Sequence, residues 1–199
     1  MNIELLVYLA HAVFWGAFGL TRLLVQRTSP PARADEGLPI AAESQTAPYS
    51  RALLTVHMLA FGVMYFGVGT AVFAKRVPGL FVGQRVAGTL IILLGAGLVC
   101  WALAYFKSWR VRARLDEGHQ LATGGPFRFI RHPIYMGLNL LALGTAVWIP
   151  TPVLWVSVIL MLVGGDLRAR AEEKLLTRVF GVTYSEFCRR TKRFLPAIY

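Results

Sequence analysis

The residues able to do chemistry gather in two stretches of the chain. The first reads His119-Gln120-Leu121-Ala122-Thr123-Gly124-Gly125-Pro126-Phe127-Arg128-Phe129-Ile130-Arg131-His132-Pro133-Ile134-Tyr135-Met136-Gly137, and the second runs from Asp166 to Tyr199. In the first, Gly124-Gly125-Pro126 allows a sharp turn and a close approach of backbone to a ligand. Pro133 suits the first turn of a helix, where its missing N–H costs nothing, so Arg131 and His132 stand at that helix's entrance, where free amides attract anions. Tyr135 and Gly137 add an aromatic surface and a gap on the same opening turns. In the second stretch Arg168 and Glu172 are four apart and share a helix face, as do Asp166 and Arg170. Leu175, Leu176, Val179 and Phe180 give this helix an apolar side, and Gly181 is placed to end it. Such charges alone also describe an amphipathic helix held by ion pairs. The two stretches acting together would make a binding site.

What must bring them together is a membrane-embedded scaffold. Of 199 residues, 56% are hydrophobic, too many for a soluble domain of this length. Runs free of Asp, Glu, Lys and Arg extend over Leu5–Thr21, Ala52–Ala74, Val86–Phe106 and Pro133–Gly165, and each is a candidate for crossing a bilayer. The last run as one straight helix would be about 50 Å long, well beyond a hydrocarbon core of roughly 30 Å. It must be broken, and Pro150-Thr151-Pro152 near its middle predicts a tight hairpin of two short arms. The hairpin returns the chain to its starting side, so the two polar stretches meet at one membrane boundary.

Lys and Arg alone set the orientation, because they resist translocation. With the N-terminus outside, the first loop holds Arg22, Arg27, Arg33 and Arg51, and the third holds Lys107, Arg110, Arg112, Arg114, Arg128 and Arg131. The tail from Arg168 to Arg193 holds eight more, against only Lys75, Arg76 and Arg85 on the other side. This topology accounts for the net charge of +11 and makes nucleic-acid binding unnecessary. The expected fold is an all-α integral membrane protein with five transmembrane helices, a C-terminal helical hairpin and a cytoplasmic loop and tail. Glu4 before the first apolar run and Arg22 after it suit a retained anchor rather than a signal peptide. Residues 26–50, rich in Pro, Ala and Ser, are expected to form a flexible cytoplasmic loop.

Several features are given no chemistry. Cys100 and Cys188 form neither a disulfide framework nor a metal motif. No G-x-G-x-x-G follows a strand pattern, which excludes a Rossmann-like domain. His11 and His57, inside apolar helices, are expected to be neutral, hydrogen-bonded packing residues. Trp109, Trp148 and Trp155 near helix ends read as membrane-interface anchors.

The spacing Gly-x-x-x-x-x-Arg-His-Pro-x-Tyr-x-Gly, from Gly125 to Gly137, is followed by Glu172-Glu173, Phe180-Gly181, Tyr184 and Arg193-Phe194-Leu195-Pro196. This combination resembles the isoprenylcysteine carboxyl methyltransferases and their bacterial and phospholipid-methyltransferase relatives. The likeness covers roughly residues 86–199, read as a methyltransferase core of three helices with a cofactor loop (107–133) and tail (166–199). Residues 1–85 add two helices.

The resemblance implies an S-adenosylmethionine-dependent methyltransferase with a lipophilic or lipid-modified acceptor. It implies that His119, Gln120, Leu121, Ala122 and Phe127 wrap the cofactor, Phe127 standing where a tyrosine is usual. His132, Pro133, Ile134 and Tyr135 match the cofactor-binding core, Glu172 the acid that holds the cofactor, and Arg168 the arginine assigned to the substrate. The chemistry is compatible: an ammonium needs an acid, and a carboxylate a donor-rich helix start. An acceptor carboxylate or thiolate would need no general base, whereas a phospholipid amine would need one, with His132 or a carboxylate the candidates. The contrasting class is a non-catalytic membrane protein that keeps the fold.

Overall fold

The computed structural model describes residues 3–28, 45–46, 49–73, 81–106, 114–115 and 121–199. His119, Gln120 and most of the 26–50 loop lie outside the described residues. The elements in chain order are α1 (Ile3–Thr28), β1 (Gln45–Thr46), α2 (Ser50–Phe73), α3 (Val82–Tyr105), β2 (Arg114–Leu115), a 3-10 turn (Gly125–Arg128), α4 (Pro133–Trp148) and α5 (Pro152–Arg190). Helices make up the body of the molecule. The strands are a two-residue antiparallel pairing, Gln45 opposite Leu115 and Thr46 opposite Arg114, which ties the segment before α2 to the one after α3.

Among the described residues four helices, α1, α2, α3 and α5, are long and apolar enough to cross a membrane. At 16 residues α4 is the exception, reaching about 24 Å at 1.5 Å per residue. The chain is a multi-pass membrane protein, and its surface agrees: Leu20, Leu59, Phe66, Leu94 and Ile159 are exposed along the helices, where lipid rather than water is their natural solvent.

The predicted break lies at Ile149-Pro150-Thr151, between α4 and α5. Thr151 caps α5, its hydroxyl accepting from the Leu154 amide at 3.4 Å, and Pro152 follows at the first helical position. The expectation of two short arms holds for α4 alone. α5 runs 39 residues; it is apolar to Gly165, so its first half has the composition of a crossing, and its charged residues follow. Gly181 bends this helix rather than ending it, with φ 54° and ψ −123°, a backbone that residues bearing a Cβ rarely adopt.

Two glycine pairs set how closely α3 and α4 approach. A Cβ on Gly88 would lie 2.7 Å from the Gly144 carbonyl oxygen, and one on Gly137 would lie 2.7 Å from the Gly95 carbonyl oxygen. Contact of small residues is how helices gain packing energy in lipid, where no hydrophobic force drives them together. The Gly137 gap expected near a ligand is thus filled by α3. Elsewhere α5 packs mainly on α2, and α1 on α3. Phe14, Met64, Ile92, Leu141, Leu154 and Met161 are fully buried between the helices. His11 joins three of them, its Nδ1 3.1 Å from the Tyr65 hydroxyl on α2 and its Nε2 2.9 Å from the Thr145 hydroxyl on α4.

Candidate active site

α4 begins where the two polar stretches come together. Residues 130–132 run beside residues 192–193 of the tail: Ile130 and Lys192 form a parallel bridge, the Arg131 amide donates to the Lys192 carbonyl at 2.8 Å, and the His132 amide donates to the Arg193 carbonyl at 3.1 Å. These two amides, near a helix start expected to offer free donors, are therefore taken by the tail. By helix geometry the amides of Ile134 and Tyr135 have no carbonyl one turn back. Pro133 is the first helical residue, as its ring predicts.

From this start the side chains of His132 and Tyr135 point toward α5. His132 Nδ1 is 3.5 Å from Glu172 Oε2, and His132 Nε2 is 3.4 Å from Glu173 Oε1. The second contact is a close charge pairing without hydrogen-bond alignment, since Nε2 has no hydrogen-bond partner among the described residues. Tyr135 donates its hydroxyl to Glu172 and stacks on His132, the ring centres 5.7 Å apart. The Arg168 guanidinium covers the Tyr135 ring at 4.8 Å and approaches His57 Nδ1 at 3.3 Å. His57 is thus hydrogen-bonded, as its position in an apolar helix suggested, and its partner is a charged residue of the candidate site.

Electrostatics follow from these contacts. Burial opposes charge on the His132 imidazole, but its contacts with Glu172 and Glu173 outweigh burial and hold its pKa above the ordinary histidine value. Burial likewise opposes charge on both carboxylates. His132, Tyr135 and Arg168 nevertheless hold Glu172 below the usual carboxylate range, and His132, Arg193 and Arg131 do the same for Glu173. The contacts therefore favour the ionised form of both carboxylates and the protonated form of the imidazole between them.

A second set of contacts was not foreseen. Arg193 reaches back from the tail to Glu173 Oε2 at 2.6 Å and to Asp166 Oδ1 at 2.9 Å, while Arg131 Nε donates to Glu173 at 2.9 Å. Tyr199 donates to Asp166 at 2.9 Å. Glu173 and Arg193 stand in the family-like motif, but their pairing follows no helical period and could not be read from spacing. The expected pair of Asp166 with Arg170 is present at 2.6 Å.

The other expected residues have definite places. Phe127 is buried against the rings of Tyr105 and Phe106. Ile134 is buried in the main core, with Ala122 packed against it. Leu121 packs with Leu175, Phe180 and Tyr184, so the loop's end rests on the far part of α5. The close approach expected at Gly124 and Gly125 is to a protein group: a Cβ on Gly124 would fall 2.0 Å from the Tyr105 hydroxyl, and Gly125 has φ +54°. Arg168, His132, Tyr135 and Glu172 are brought together, with Pro133 and Ile134 on the same turn.

The cluster suits a ligand carrying an ammonium. The Glu172 side chain keeps 23% of its surface open while that of His132 keeps 6%, so the carboxylate is the part of the group a ligand can reach.

Comparison with known proteins agrees in kind. Residues 84–183 match the family model described as phospholipid methyltransferase. A probable protein-S-isoprenylcysteine O-methyltransferase of Oryza sativa subsp. indica is 34% identical over 89 residues, 44% of this chain and 47% of that protein. Protein-S-isoprenylcysteine O-methyltransferase A of Arabidopsis thaliana is 30% identical over 127 residues, 61% of this chain and 64% of that protein. The Homo sapiens protein-S-isoprenylcysteine O-methyltransferase is 33% identical over 90 residues, 44% of this chain and 31% of that protein. The chain spans about half the length of the first of these relatives.

Proposed function

The chain belongs to the phospholipid methyltransferase family, and from that premise we propose that it is a membrane-embedded, S-adenosylmethionine-dependent methyltransferase acting on the carboxylate of an isoprenylcysteine-like acceptor. The observation that carries this reading is the apposition of His132, Tyr135 and a reachable, ionised Glu172 at the start of α4.

In this reading Glu172 holds the cofactor's ammonium, and the Ile134 and Tyr135 amides face its carboxylate. Leu121, Ala122, Phe127 and Pro133, with His119 and Gln120 from the preceding loop, wrap the rest and exclude water. When bound, the cofactor supplies an electrophilic methyl whose bond to sulfur breaks as the bond to an acceptor oxygen forms, the sulfur leaving as a neutral thioether. Arg168 orients the acceptor anion, while Tyr135 and His57 hold the guanidinium in place. A carboxylate needs no proton removed, so alignment and desolvation supply the catalysis. The apolar acceptor reaches Arg168 laterally from lipid. The site and C-terminus lie on the cytoplasmic side, with the N-terminus outside.

Membranes containing the protein, incubated with methyl-labelled S-adenosylmethionine and a prenylated cysteine, should place the label in a base-labile ester. Label in a volatile thioether would assign a thiol acceptor, and label in lipid a phospholipid amine. A folded protein that binds no S-adenosylmethionine would be a non-catalytic member of the fold.

A further inference from the structure

Three buried polar groups from three helices converge on one short stretch of α5. Gly164 packs on His57 of α2, a Cβ there falling 3.4 Å from the His57 Cα. Gly165 faces Asn139 of α4, a Cβ there falling 3.5 Å from Asn139 Oδ1 and 3.9 Å from the Tyr135 Cβ. Arg168 follows one helical turn later and meets His57.

All three are closed off from the surroundings, His57 at 0%, Asn139 at 4% and Arg168 at 4% exposure. At His57 and Asn139 the hydrogen bonding is incomplete among the described residues. Neither Oδ1 nor Nδ2 of Asn139 has a partner among the described residues, and neither has His57 Nε2. Arginine can only donate, so His57 Nδ1 must accept from it, which leaves the proton of a neutral imidazole on Nε2. The result is an unpaired buried donor at His57 Nε2 and both a donor and an acceptor at Asn139. In an apolar surrounding such groups are costly unless something pairs with them. Two glycines in succession, lacking side chains, let His57 and Asn139 come close to α5 beside Arg168.

We propose that His57, Asn139 and Arg168 form a membrane-buried subsite for the polar end of the acceptor, in which Asn139 pairs with a neutral amide group adjoining the acceptor's carboxylate. This rests on the methyltransferase reading above and specifies which acceptors it favours. Arg168 takes the carboxylate. His57 is a positioning residue, holding the guanidinium against Tyr135. Asn139, about one turn deeper, is a specificity-determining residue, because an amide side chain matches an amide N–H and C=O at once. A site built to hydrogen-bond a polar group discriminates strongly against an analogue lacking it.

The test uses the full chain in detergent and two synthetic probes: an N-acetylated prenylcysteine, and the matched prenylthiopropionate that lacks the amide. Methyl transfer at saturating S-adenosylmethionine gives kcat and KM for each, and cofactor affinity is measured separately. The wild type should prefer the amide-bearing probe by roughly tenfold or more in kcat/KM, and Asn139→Leu should collapse that ratio toward one. His57→Phe should raise KM for both probes with cofactor affinity retained, and His57→Gln, whose carbonyl can still accept from the guanidinium, should restore most of it. A ratio unmoved by Asn139→Leu, or a loss in parallel with cofactor affinity, overturns the proposal. If the wild type binds S-adenosylmethionine but methylates neither probe, the carboxylate reading fails by itself. Thermal shifts with the two probes then decide the subsite: discrimination lost in Asn139→Leu sustains it, and identical shifts in wild type and variant overturn it.

Discussion

His132 and Glu172 lie with Nδ1 and Oε2 3.5 Å apart, although the whole of α4, the turn after it and half of α5 separate them along the chain. The contact joins the start of a short helix to the emerging half of a long one.

Glu172→Gln should test this contact most directly. The variant keeps an acceptor for the Tyr135 hydroxyl but cannot neutralise an ammonium. A charge-assisted pair is worth about 1.5–3 kcal/mol, so S-adenosylmethionine affinity measured by titration calorimetry should fall roughly ten- to hundredfold. An unchanged affinity would remove Glu172 from the cofactor site.

Stability should depend on pH in a definite direction. The raised pKa of His132 means that its contribution is full below the unfolded value of about 6.5 and lost as pH rises through the folded value. Glu172 and Glu173, held low, contribute above the unfolded value of about 4.3 and lose that contribution as pH falls through their folded values. Stability to heat in detergent should therefore decline on the alkaline limb, as pH rises above about 6.5 and through the folded value, by about 2–4 °C for each kcal/mol lost. His132→Asn should flatten that alkaline decline; parallel curves would assign it to other groups.

Gly137→Ala should push α3 and α4 apart. The added carbon would sit 2.3 Å from a Val99 methyl and 2.7 Å from the Gly95 carbonyl oxygen, an overlap costing about 1–3 kcal/mol. Gly97→Ala is the control, with nothing within 4 Å, and a helix gains up to about 1 kcal/mol from that exchange. Unfolding midpoints should move in opposite directions.

A double-mutant cycle between His11 and Thr145 should reveal coupling between α1 and α4 inside the membrane. Their 2.9 Å contact is fully enclosed, and such interhelical hydrogen bonds are worth about 0.6 kcal/mol, at most roughly 1.7. His11→Leu with Thr145→Val, followed by reversible unfolding in detergent, measures it. A coupling near zero would show that packing alone holds α1.

Much of the scaffold is legible in the amino-acid order because lipid imposes a simple rule: a crossing segment must be apolar and long enough, and prolines must interrupt it where the chain turns. Thus the helices, the break at Pro150-Thr151-Pro152 and the meeting of Arg131-His132-Pro133 with the Glu172 segment follow from composition and spacing. Tertiary structure alone decided what fills the glycine gaps, since Gly137 meets Gly95 on another helix and Gly124 meets the Tyr105 ring. It also decided the charge partners of Glu173 and the surroundings of Arg168. Arg193 folds back from the tail and His57 arrives from α2, and no local period encodes contacts between elements whose relative placement is set by packing.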